Sequence, residues 1–545
     1  MAENIGVIPG EGVDRPGRAP RMLYLAIVVA GLLARVVALD RLPGISGDEA
    51  WFGVNVYELL DGGTPFLLTP TGNIVSPIHS LPLLLLARVS EPALWLLRVP
   101  SVIWGGLAVV LAYPLLARPI GARAALLVTA FLALSTATVG QSRLGWDPSA
   151  TPFFALLAVA CALRDRPVLA GLSWLPALVV HPTNAFLAPV IAAAWAPFLR
   201  VRYAAAGGRT RTFVRLAVAA GVVAGGVAAL AVVRYMTHRG QLSSPDMVER
   251  AFSPASWLES VLGVERLFSG VTTATYVGGV LPGGVRVIAD GVIPLVLLAP
   301  LALSWRALKS DPGAPILWLL GGVAASAIPF HVVAGPDSLR PGDERFAMFL
   351  VVPLALVGAL GAESLRARWR HGPRAVGVVG CATLTLVLVV GYFQPLASNG
   401  GESHQTFRTG GVEPKAAAFA FMADDSRGAE VVAVLAENWW VYWPLRYLSH
   451  REGGRLRVEM MDRLEDRLRP DGVAAPPYPH PPDRIYAVTF EGGPAWSALS
   501  PLLQPAFTAV DPHGRPILHV TRIPLARVEP LLGSQPWSPL AAQLR

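Results

Sequence analysis

Long apolar runs, separated by short stretches rich in arginine, recur along the first 395 residues of this chain. A helix needs about 20 apolar residues to cross a hydrocarbon core about 30 Å thick. With 53% hydrophobic and 15% charged residues, the 545-residue chain is more apolar than a soluble domain requires. The pattern therefore predicts an α-helical polytopic membrane protein. We expect about eleven transmembrane helices, at residues 22–39, 96–117, 121–141, 149–163, 167–181, 183–199, 213–234, 286–305, 314–333, 345–365 and 375–395.

The distribution of arginine predicts the orientation of these spans. If the basic N-terminus is cytoplasmic, every loop on that side carries basic residues, as cytoplasmic loops usually do. Residues 40–95, 142–148, 235–285, 334–344 and the chain after residue 396 then lie outside. The high content of Ala, Gly, Pro and Arg is typical of a GC-rich bacterial genome, so we expect the cytoplasmic membrane of a bacterium.

The basic residues that give the net charge of +8 are concentrated in the predicted cytoplasmic loops. They do not form the clustered basic stripe that is typical of a nucleic-acid-binding protein. We therefore expect no nucleic-acid partner.

The residues predicted outside the membrane fall into two groups. In the outer loop 40–95, residues 48–60 and 78–89 predict short helices that lie along the membrane surface. After residue 396 the pattern changes to strand-like apolar runs at 430–436, 456–461, 484–490 and 516–523. The sequence thus predicts two domains, a transmembrane domain at 1–396 that contains the outer loop, and a small extracytoplasmic α/β domain at 397–545.

The predicted α/β domain contains an aromatic cluster. It consists of Trp439, Trp440, Tyr442 and Trp443. Such rings could stack on a sugar or rest at the membrane interface, although packing in the core is the favoured interpretation.

An acidic pair, Asp48 and Glu49, follows the first predicted span in the motif Ser46-Gly-Asp-Glu-Ala50. At the start of the predicted helix 48–60, two carboxylates can simply complement the positive end of the helix. Alternatively, one carboxylate can deprotonate a hydroxyl group while the other orients it or binds a cation. The motif alone is compatible with both interpretations.

A second candidate motif is Gln141-Ser-Arg-Leu-Gly-Trp-Asp147-Pro148, in a short outer loop. Asp147 followed by Pro148 is typical of a helix start, so capping alone can explain this carboxylate. Arginine is usually concentrated in cytoplasmic loops, so we expect Arg143, in a predicted outer loop, to have an anionic partner. A phosphate group would be a suitable partner.

Three further residues lie on or near the predicted outer face. Arg345, in Arg340-Pro-Gly-Asp-Glu-Arg345, could meet a lipid phosphate or pair with Asp343. His79 and His181 are the other two, and histidines in such positions are more often structural than catalytic.

Four features carry a resemblance to a known family: Asp48-Glu49, Pro77 opening an apolar surface helix, Arg98-Val-Pro-Ser101 entering the second span, and Arg143 through Asp147. Together they resemble the protein O-mannosyltransferase and aminoarabinose transferase group, integral-membrane glycosyltransferases of the GT-C fold. The resemblance covers residues 20–200. It implies a GT-C-like membrane domain, a polyprenyl-phosphate sugar donor, Asp48 as catalytic base beside Glu49, and Asp147 as an accessory acidic residue.

The chain departs from this family pattern before the surface helix. The family often has Lys-Pro-Pro there, whereas this chain has Val75-Ser76-Pro77-Ile78-His79. His79 is therefore a candidate for the donor-phosphate role that a lysine would otherwise take.

These features lead to the hypothesis of an inverting glycosyltransferase of the cell envelope, acting at the outer face of the membrane. The catalytic residues would be Asp48, Glu49 and Asp147. They would act on the hydroxyl group of a protein, lipid or polysaccharide acceptor. The donor phosphate would be bound by Arg143, Arg345 and His79.

No cofactor is required by this hypothesis, because the chain has no convincing Gly-rich nucleotide loop, although a divalent cation is possible. Both cysteines fall inside predicted spans, so no metal cluster is expected. One alternative is a transporter, which usually has its charged site near the bilayer midplane. Another is a non-catalytic envelope assembly or binding protein whose C-terminal part recognises a wall polymer.

Overall fold

The computed structural model describes residues 18–70, 72–205, 208, 212, 244–310, 315–461 and 482–524. Helices dominate this part of the chain, and a sheet lies near its C-terminal end. The helices are α1 (Arg18–Val36), α2 (Gly47–Leu60), α3 (Pro77–Ala87), α4 (Leu94–Ile120), α5 (Ala122–Leu134), α6 (Thr136–Ser142), α7 (Thr151–Ala162), α8 (Pro167–Val180), α9 (Ala188–Ala205), α10 (Ser244–Phe252), α11 (Pro254–Ser269), α12 (Gly283–Ser310), α13 (Pro315–Ala334), α14 (Val351–Ser364), α15 (Gly372–Leu386), α16 (Gln394–Asn399), α17 (Pro414–Asp425), α18 (Trp439–Ser449) and α19 (Pro494–Leu499). Single turns, 3-10 segments and π-helical segments join several of them, among them Asp147–Ala150, Ala274–Gly278, Glu344–Leu350 and Val387–Phe393.

Six of the described helical segments are long and apolar enough to cross a membrane. They are Leu94–Ile120, Pro182–Ala204, Gly283–Trp305, Pro315–Ala334, Glu344–Ser364 and Gly372–Asn399, and each matches a predicted span. Helices α5 and α6 make a seventh if the 53° bend between them lies within one span. The chain is thus a multi-pass membrane protein, as its sequence predicts.

The other predicted spans have different outcomes. The first, 22–39, forms α1. Those at 149–163 and 167–181 form α7 and α8, which have 12 and 14 residues and are shorter than a hydrocarbon core requires. The span predicted at 213–234 lies outside the described residues. By length and composition, the described helices account for six or seven of the predicted crossings.

The two short helices predicted in the outer loop are present as α2 and α3. A capping box begins α2: the Ser46 hydroxyl accepts from the Glu49 amide, and the Glu49 carboxylate accepts from the Ser46 amide. Pro77 is the first residue of α3, where its missing amide hydrogen costs nothing. These local signals explain why both helix starts were predicted within one residue.

The strands form one mixed sheet with the order β2-β1-β3-β5-β4. The four predicted strands are β1 (Val432–Ala436), β2 (Leu456–Met460), β3 (Arg484–Phe490) and β5 (Pro516–Arg522), and the structure adds β4 (Phe507–Val510). Strand β1 is parallel to β2 and β3, whereas β5 is antiparallel to β3 and β4. Helices α17 and α18 cover one face of the sheet and α19 covers the other. The domain boundary after residue 396 stays a prediction.

The sheet shares a hydrophobic core with the outer loop. Trp51 and Val54 of α2 belong to the same buried cluster as Val434 of β1, and α18 packs between them. The ring of Trp51 meets that of Trp443 edge to face, with 6.4 Å between the ring centroids. The start of α2, which carries the acidic pair, therefore lies at the junction of the membrane helices and the sheet.

Candidate active site

A water-accessible cavity of about 100 Å³ lies beside the start of α2. Its wall combines aromatic rings with two carboxylates and one guanidinium group. The lining residues are Asp48, Trp51, Phe52, Thr69, Pro70, Asn73, Trp146, Asp147, Pro148, His181, Arg345, Phe346 and Trp439. The structure thus brings together three of the site residues selected from the sequence, Asp48, Asp147 and Arg345, although they are far apart in the chain.

Asp48 is the second residue of α2 and reaches two donors from distant parts of the chain. Its Oδ2 accepts from Nη1 of Arg345 at 2.9 Å, and its Oδ1 accepts from the indole Nε1 of Trp439 at 3.2 Å. The Asp48 side chain is 27% exposed and that of Arg345 is 18% exposed. Both charges can therefore be reached from the cavity.

Arg345 is held between aromatic rings. Its guanidinium carbon lies 4.9 Å from the ring centroid of Trp146 and 5.2 Å from that of Phe346, at distances where a cation interacts favourably with a ring face. This leaves the side chain as a cation that faces the cavity.

The neighbouring residue, Glu344, anchors the backbone that carries Arg345. The buried Glu344 carboxylate accepts from the Gly342 amide at 2.6 Å, from Thr273 Oγ1 at 3.0 Å and from Gln141 Nε2 at 3.3 Å. Gly342 has a φ of 100° and its α-carbon faces the ring of Tyr276, so no other residue fits there without strain. The position of Arg345 is therefore set by buried contacts on its own segment.

Asp147 lies on the cavity wall and is 8% exposed. Burial raises the pKa of its carboxyl group to about 7, while the positive charge of Arg345 opposes the shift and the negative charge of Asp48 adds to it. It is the first residue of a 3-10 helix, at whose start no side-chain capping bond forms. Capping does not explain this carboxyl group, and close to neutral pH it can both donate and accept a hydrogen bond.

Glu49, the second residue of the predicted catalytic pair, does not line the cavity. Its carboxylate is fully buried and forms an ion pair with Arg98, with Oε1 2.8 Å from Nη2 and Oε2 3.0 Å from Nε. Oε2 also accepts from the Gly145 amide at 3.0 Å. Glu49 thus ties α2, which carries Asp48, to α4 and to the loop that carries Asp147, and its contribution is to hold the two cavity carboxylates in place.

Arg143, a predicted ligand of the donor phosphate, is also absent from the cavity wall. Its guanidinium donates to backbone carbonyls of Ala34, Val37, Ala38 and Leu42 at 2.7 to 3.4 Å. These carbonyls lie at and just beyond the C-terminal end of α1, where the last carbonyls of a helix lack partners within it. The anionic partner expected for this arginine is therefore the negative end of a helix.

His79 is the third predicted site residue outside the cavity wall. Its ring is 1% exposed and stands edge-on to Phe52, with 5.0 Å between the centroids. Burial lowers the pKa of this imidazole to about 3, which favours the neutral ring. His181, in contrast, lines the cavity, with Nδ1 2.8 Å from Thr183 Oγ1.

Sequence reasoning missed the aromatic wall. Trp146 and Phe346 directly adjoin Asp147 and Arg345, so the motifs contained a signal for them. Trp439 lay in the aromatic cluster that was assigned to core packing, and its bond to Asp48 joins residues 391 positions apart. No local pattern could predict that contact.

Metal-ligating side chains are not grouped in this site. Within the described ranges, no three His, Cys, Asp or Glu side chains lie close enough together to hold a metal ion. The cation beside Asp48 is instead supplied by Arg345.

No family model matches the chain, and no curated protein matches it. Among solved structures, it is similar to ArnT from Cupriavidus metallidurans bound to undecaprenyl phosphate, with 14% identity, a TM-score of 0.48, and coverage of 92% of this chain and 98% of that one. The apo state of the same protein gives 13% identity and a TM-score of 0.49, with the same coverage. The oligosaccharyltransferase of Archaeoglobus fulgidus in complex with Zn and sulfate gives 14% identity, a TM-score of 0.45, and coverage of 80% and 62%. All three likenesses are distant.

Proposed function

We propose that this protein is a GT-C-type glycosyltransferase that moves a sugar from a polyprenyl-phosphate donor to a hydroxyl acceptor at the outer face of the membrane. The observation that carries the proposal is the contact between the Asp48 carboxylate and the Arg345 guanidinium, 2.9 Å apart in one water-accessible cavity. A base and a phosphate-binding cation are the two groups that this transfer needs close together. The resemblance of residues 20–200 to the O-mannosyltransferase and aminoarabinose transferase group supports the same chemistry.

In the proposed reaction, the acceptor oxygen attacks the anomeric carbon of the donor sugar. The hydroxyl proton passes to Asp48 as the new bond forms, and the bond between the anomeric carbon and the phosphate oxygen breaks. The leaving polyprenyl phosphate takes the bonding electrons and gains one negative charge, which Arg345 stabilises. A single displacement of this kind inverts the configuration at the anomeric carbon.

The ion pair between Asp48 and Arg345 also suggests the order of events. Oδ2 of Asp48 is engaged by the Arg345 guanidinium at 2.9 Å. The donor phosphodiester carries one negative charge on two free oxygens, which offer the guanidinium a bidentate partner. Donor binding would therefore draw Arg345 toward the phosphate and free one Asp48 oxygen to accept the proton.

Asp147 takes an accessory role in this proposal. With a pKa raised to about 7, its carboxyl group can hold its proton close to neutral pH. A protonated carboxyl can donate a hydrogen bond to a sugar hydroxyl or a phosphate oxygen, and it does so without repelling the anionic phosphate. The ionised form would repel that phosphate.

An apolar groove beside the cavity suits an isoprenoid chain. Thr69, Pro70 and Asn73 line the cavity, and on the same loop Leu67, Leu68 and Ile74 are exposed apolar residues. These three residues and α3 line a neighbouring groove of about 490 Å³, which is almost entirely apolar. A donor with its phosphate at Arg345 could therefore keep its hydrocarbon chain in apolar surroundings.

We further propose that the N-terminus is cytoplasmic, that the C-terminal α/β region is extracytoplasmic, and that the source membrane is bacterial. The acceptor is a protein, lipid or polysaccharide hydroxyl. No metal is required, because Arg345 already supplies a positive charge beside the base.

The test uses purified protein in nanodiscs with mannosyl, glucosyl and aminoarabinosyl undecaprenyl phosphate as donor probes and a cell-envelope extract as the source of acceptor hydroxyls. Release of undecaprenyl phosphate is measured, since every donor of this class yields it. Asp48→Asn should lower turnover by about a hundred- to ten-thousandfold. Undecaprenyl phosphate should still bind, because Arg345 is retained and no longer paired with a carboxylate. The matched control is Asp424→Asn on α17, at an exposed carboxylate that is paired with Arg427 outside the cavity. Full turnover in Asp48→Asn would refute the assignment of the base.

A further inference from the structure

Trp439 brings the C-terminal region of the chain into the cavity. It is the first residue of α18 and lines the cavity wall, and its indole N–H is the second donor to the Asp48 carboxylate, at 3.2 Å from Oδ1. Arg345 engages the other oxygen. Each oxygen of Asp48 therefore has one donor, and the two donors come from different regions of the chain.

Helix α18 is packed closely against α2. A β-carbon added at Gly47 would lie 2.6 Å from Cδ1 of Trp439, and one added at Gly53 would lie 2.5 Å from Cδ2 of Tyr447. Both distances are shorter than carbon atoms tolerate, so the absence of side chains at these two positions allows the helices to approach. The indole of Trp439 is consequently held directly over the first turn of α2.

Polar contacts fix the far end of the same helix pair. Arg446 forms an ion pair with Glu58, and His450 Nδ1 lies 3.0 Å from Asp61 Oδ2. The hydroxyl of Tyr447 donates to the Ala93 carbonyl at 3.0 Å. The orientation of α18 on α2 is thus set over its whole length.

The segment before α2 is held by the same region of the chain. The Ile45 amide donates to Glu413 Oε1 at 3.2 Å, and Thr406 Oγ1 donates to the Ile45 carbonyl at 3.1 Å. The Gly44 amide donates to the Phe407 carbonyl at 2.9 Å. Residues after 400 therefore fix both the backbone that leads to Asp48 and the side chain of Asp48 itself.

We infer that Trp439 is a positioning residue for Asp48, through which the C-terminal region completes the catalytic centre. The inference rests on the proposed function, in which Asp48 is the base. When the donor phosphate draws Arg345 away, the indole N–H remains as the donor that holds the carboxylate toward the acceptor. Loss of this bond leaves donor binding intact and lets the base rotate away from its working position.

The kinetic test compares Trp439→Phe with Trp440→Phe, both in nanodiscs with the donor probe that supports turnover. Phenylalanine keeps an aromatic ring at position 439, but it has no N–H donor and is smaller than indole, a loss of size that Trp440→Phe shares. A hydrogen bond to a charged group corresponds to a 10- to 100-fold effect, so kcat should fall by about that factor in Trp439→Phe. KM for the donor should change less than about twofold. Trp440 is the matched control because its ring packs on His404, with 4.8 Å between centroids, and does not contact Asp48.

An unchanged kcat in Trp439→Phe, or an equal loss in Trp440→Phe, would overturn the inference. Gly47→Ala is a second variant for the case that Trp439→Phe does not fold, because the added methyl group displaces the indole without changing it. It should lower kcat in the same way. A purified Gly47→Ala protein with normal kcat would count against the inference.

A stability cycle tests the contact without any turnover. The unfolding midpoint of Trp439→Phe is compared with the parent in the wild-type background and in the Asp48→Ala background. The shift of the unfolding midpoint caused by Trp439→Phe should be at most half as large in the Asp48→Ala background as in the wild-type background. The shift caused by Trp440→Phe should be the same in both backgrounds. Additive shifts would refute the contact. If the wild-type protein releases no undecaprenyl phosphate from any probe, the proposed function fails, whereas the cycle still decides whether Trp439 holds Asp48.

Discussion

Asp147→Asn should remove a pH dependence that burial of this carboxyl group creates. In the folded protein its pKa is raised from 3.8 to about 7, mainly because the ionised form is buried away from water. The difference between these two pKa values corresponds to about 4 kcal/mol. The folded protein holds the proton more tightly than the unfolded chain, so the free energy of unfolding falls as the pH rises from about 4 to about 7. Above pH 7 the full loss of about 4 kcal/mol remains.

Asparagine has nearly the same shape and carries no charge at any pH, so it avoids this loss. We expect the variant and the wild type to unfold at similar temperatures at pH 4.5, and the variant to unfold at a higher temperature at pH 8. The same substitution should change the rate profile. If the protonated carboxyl donates a hydrogen bond to the donor, wild-type kcat/KM falls as the pH rises through about 7, whereas the amide of Asn donates at every pH and the fall should be absent.

Both quantities can be measured on one protein preparation. Unfolding is followed by tryptophan fluorescence in detergent from pH 4.5 to 8.5, and kcat/KM is followed by release of undecaprenyl phosphate over the same range. Asp424→Asn, at an exposed carboxylate that is paired with Arg427 outside the cavity, should match the wild type at every pH. A midpoint difference between Asp147→Asn and wild type that is the same at pH 4.5 and pH 8 would refute the pKa assignment. An unchanged alkaline fall in kcat/KM would refute the hydrogen-bond role.

Three further predictions follow from the site and the topology. Glu49→Gln leaves Arg98 buried without its counter-charge and should destabilise the protein by about 3–5 kcal/mol, measured by the unfolding midpoint. The control is Glu363→Gln, at a partly exposed ion pair, which should change the midpoint little. An equal effect of the two substitutions would contradict the role of Glu49 as a buried anchor. Val412→Cys, in a background without the native cysteines, should react with a membrane-impermeant maleimide in intact cells, and Arg366→Cys should react only after permeabilisation; the reverse pattern would invert the proposed topology. Addition of EDTA should leave turnover unchanged because Arg345 supplies the positive charge, and loss of turnover that Mg²⁺ or Mn²⁺ restores would show that a cation is needed.

Much of the architecture could be predicted from periodicity and local signals. The capping box at Ser46 and the proline at position 77 predicted the starts of α2 and α3, and apolar runs predicted four strands of the sheet. Strand β4 was missed because it has only four residues, a length at which the alternation of apolar residues is a weak signal. Helices α7 and α8 were predicted as spans because apolar composition alone does not decide whether a helix is long enough to cross.

The candidate site could be predicted in part. Charged residues in the predicted outer loops were selected as candidates for catalysis or phosphate binding. Three of them line the cavity: Asp48, Asp147 and Arg345. Arg143 was selected by the same reasoning, but its partners are backbone carbonyls, which a sequence pattern does not distinguish from a phosphate. Glu49 and Asp48 are adjacent, and only the direction of each side chain in the first turn of α2 separates the buried anchor from the cavity residue.

The assignment of Arg345 and Asp48 to one catalytic centre is tested most directly by a density map of the protein with undecaprenyl phosphate bound in a nanodisc. We expect the phosphate within hydrogen-bonding distance of the Arg345 guanidinium, inside the cavity of Asp48, with the isoprenoid chain along the apolar groove at Leu67, Leu68 and Ile74. The contact between Arg345 and Asp48 should be longer than its present 2.9 Å. A phosphate bound elsewhere, with the contact between Arg345 and Asp48 unchanged, would contradict the proposed centre.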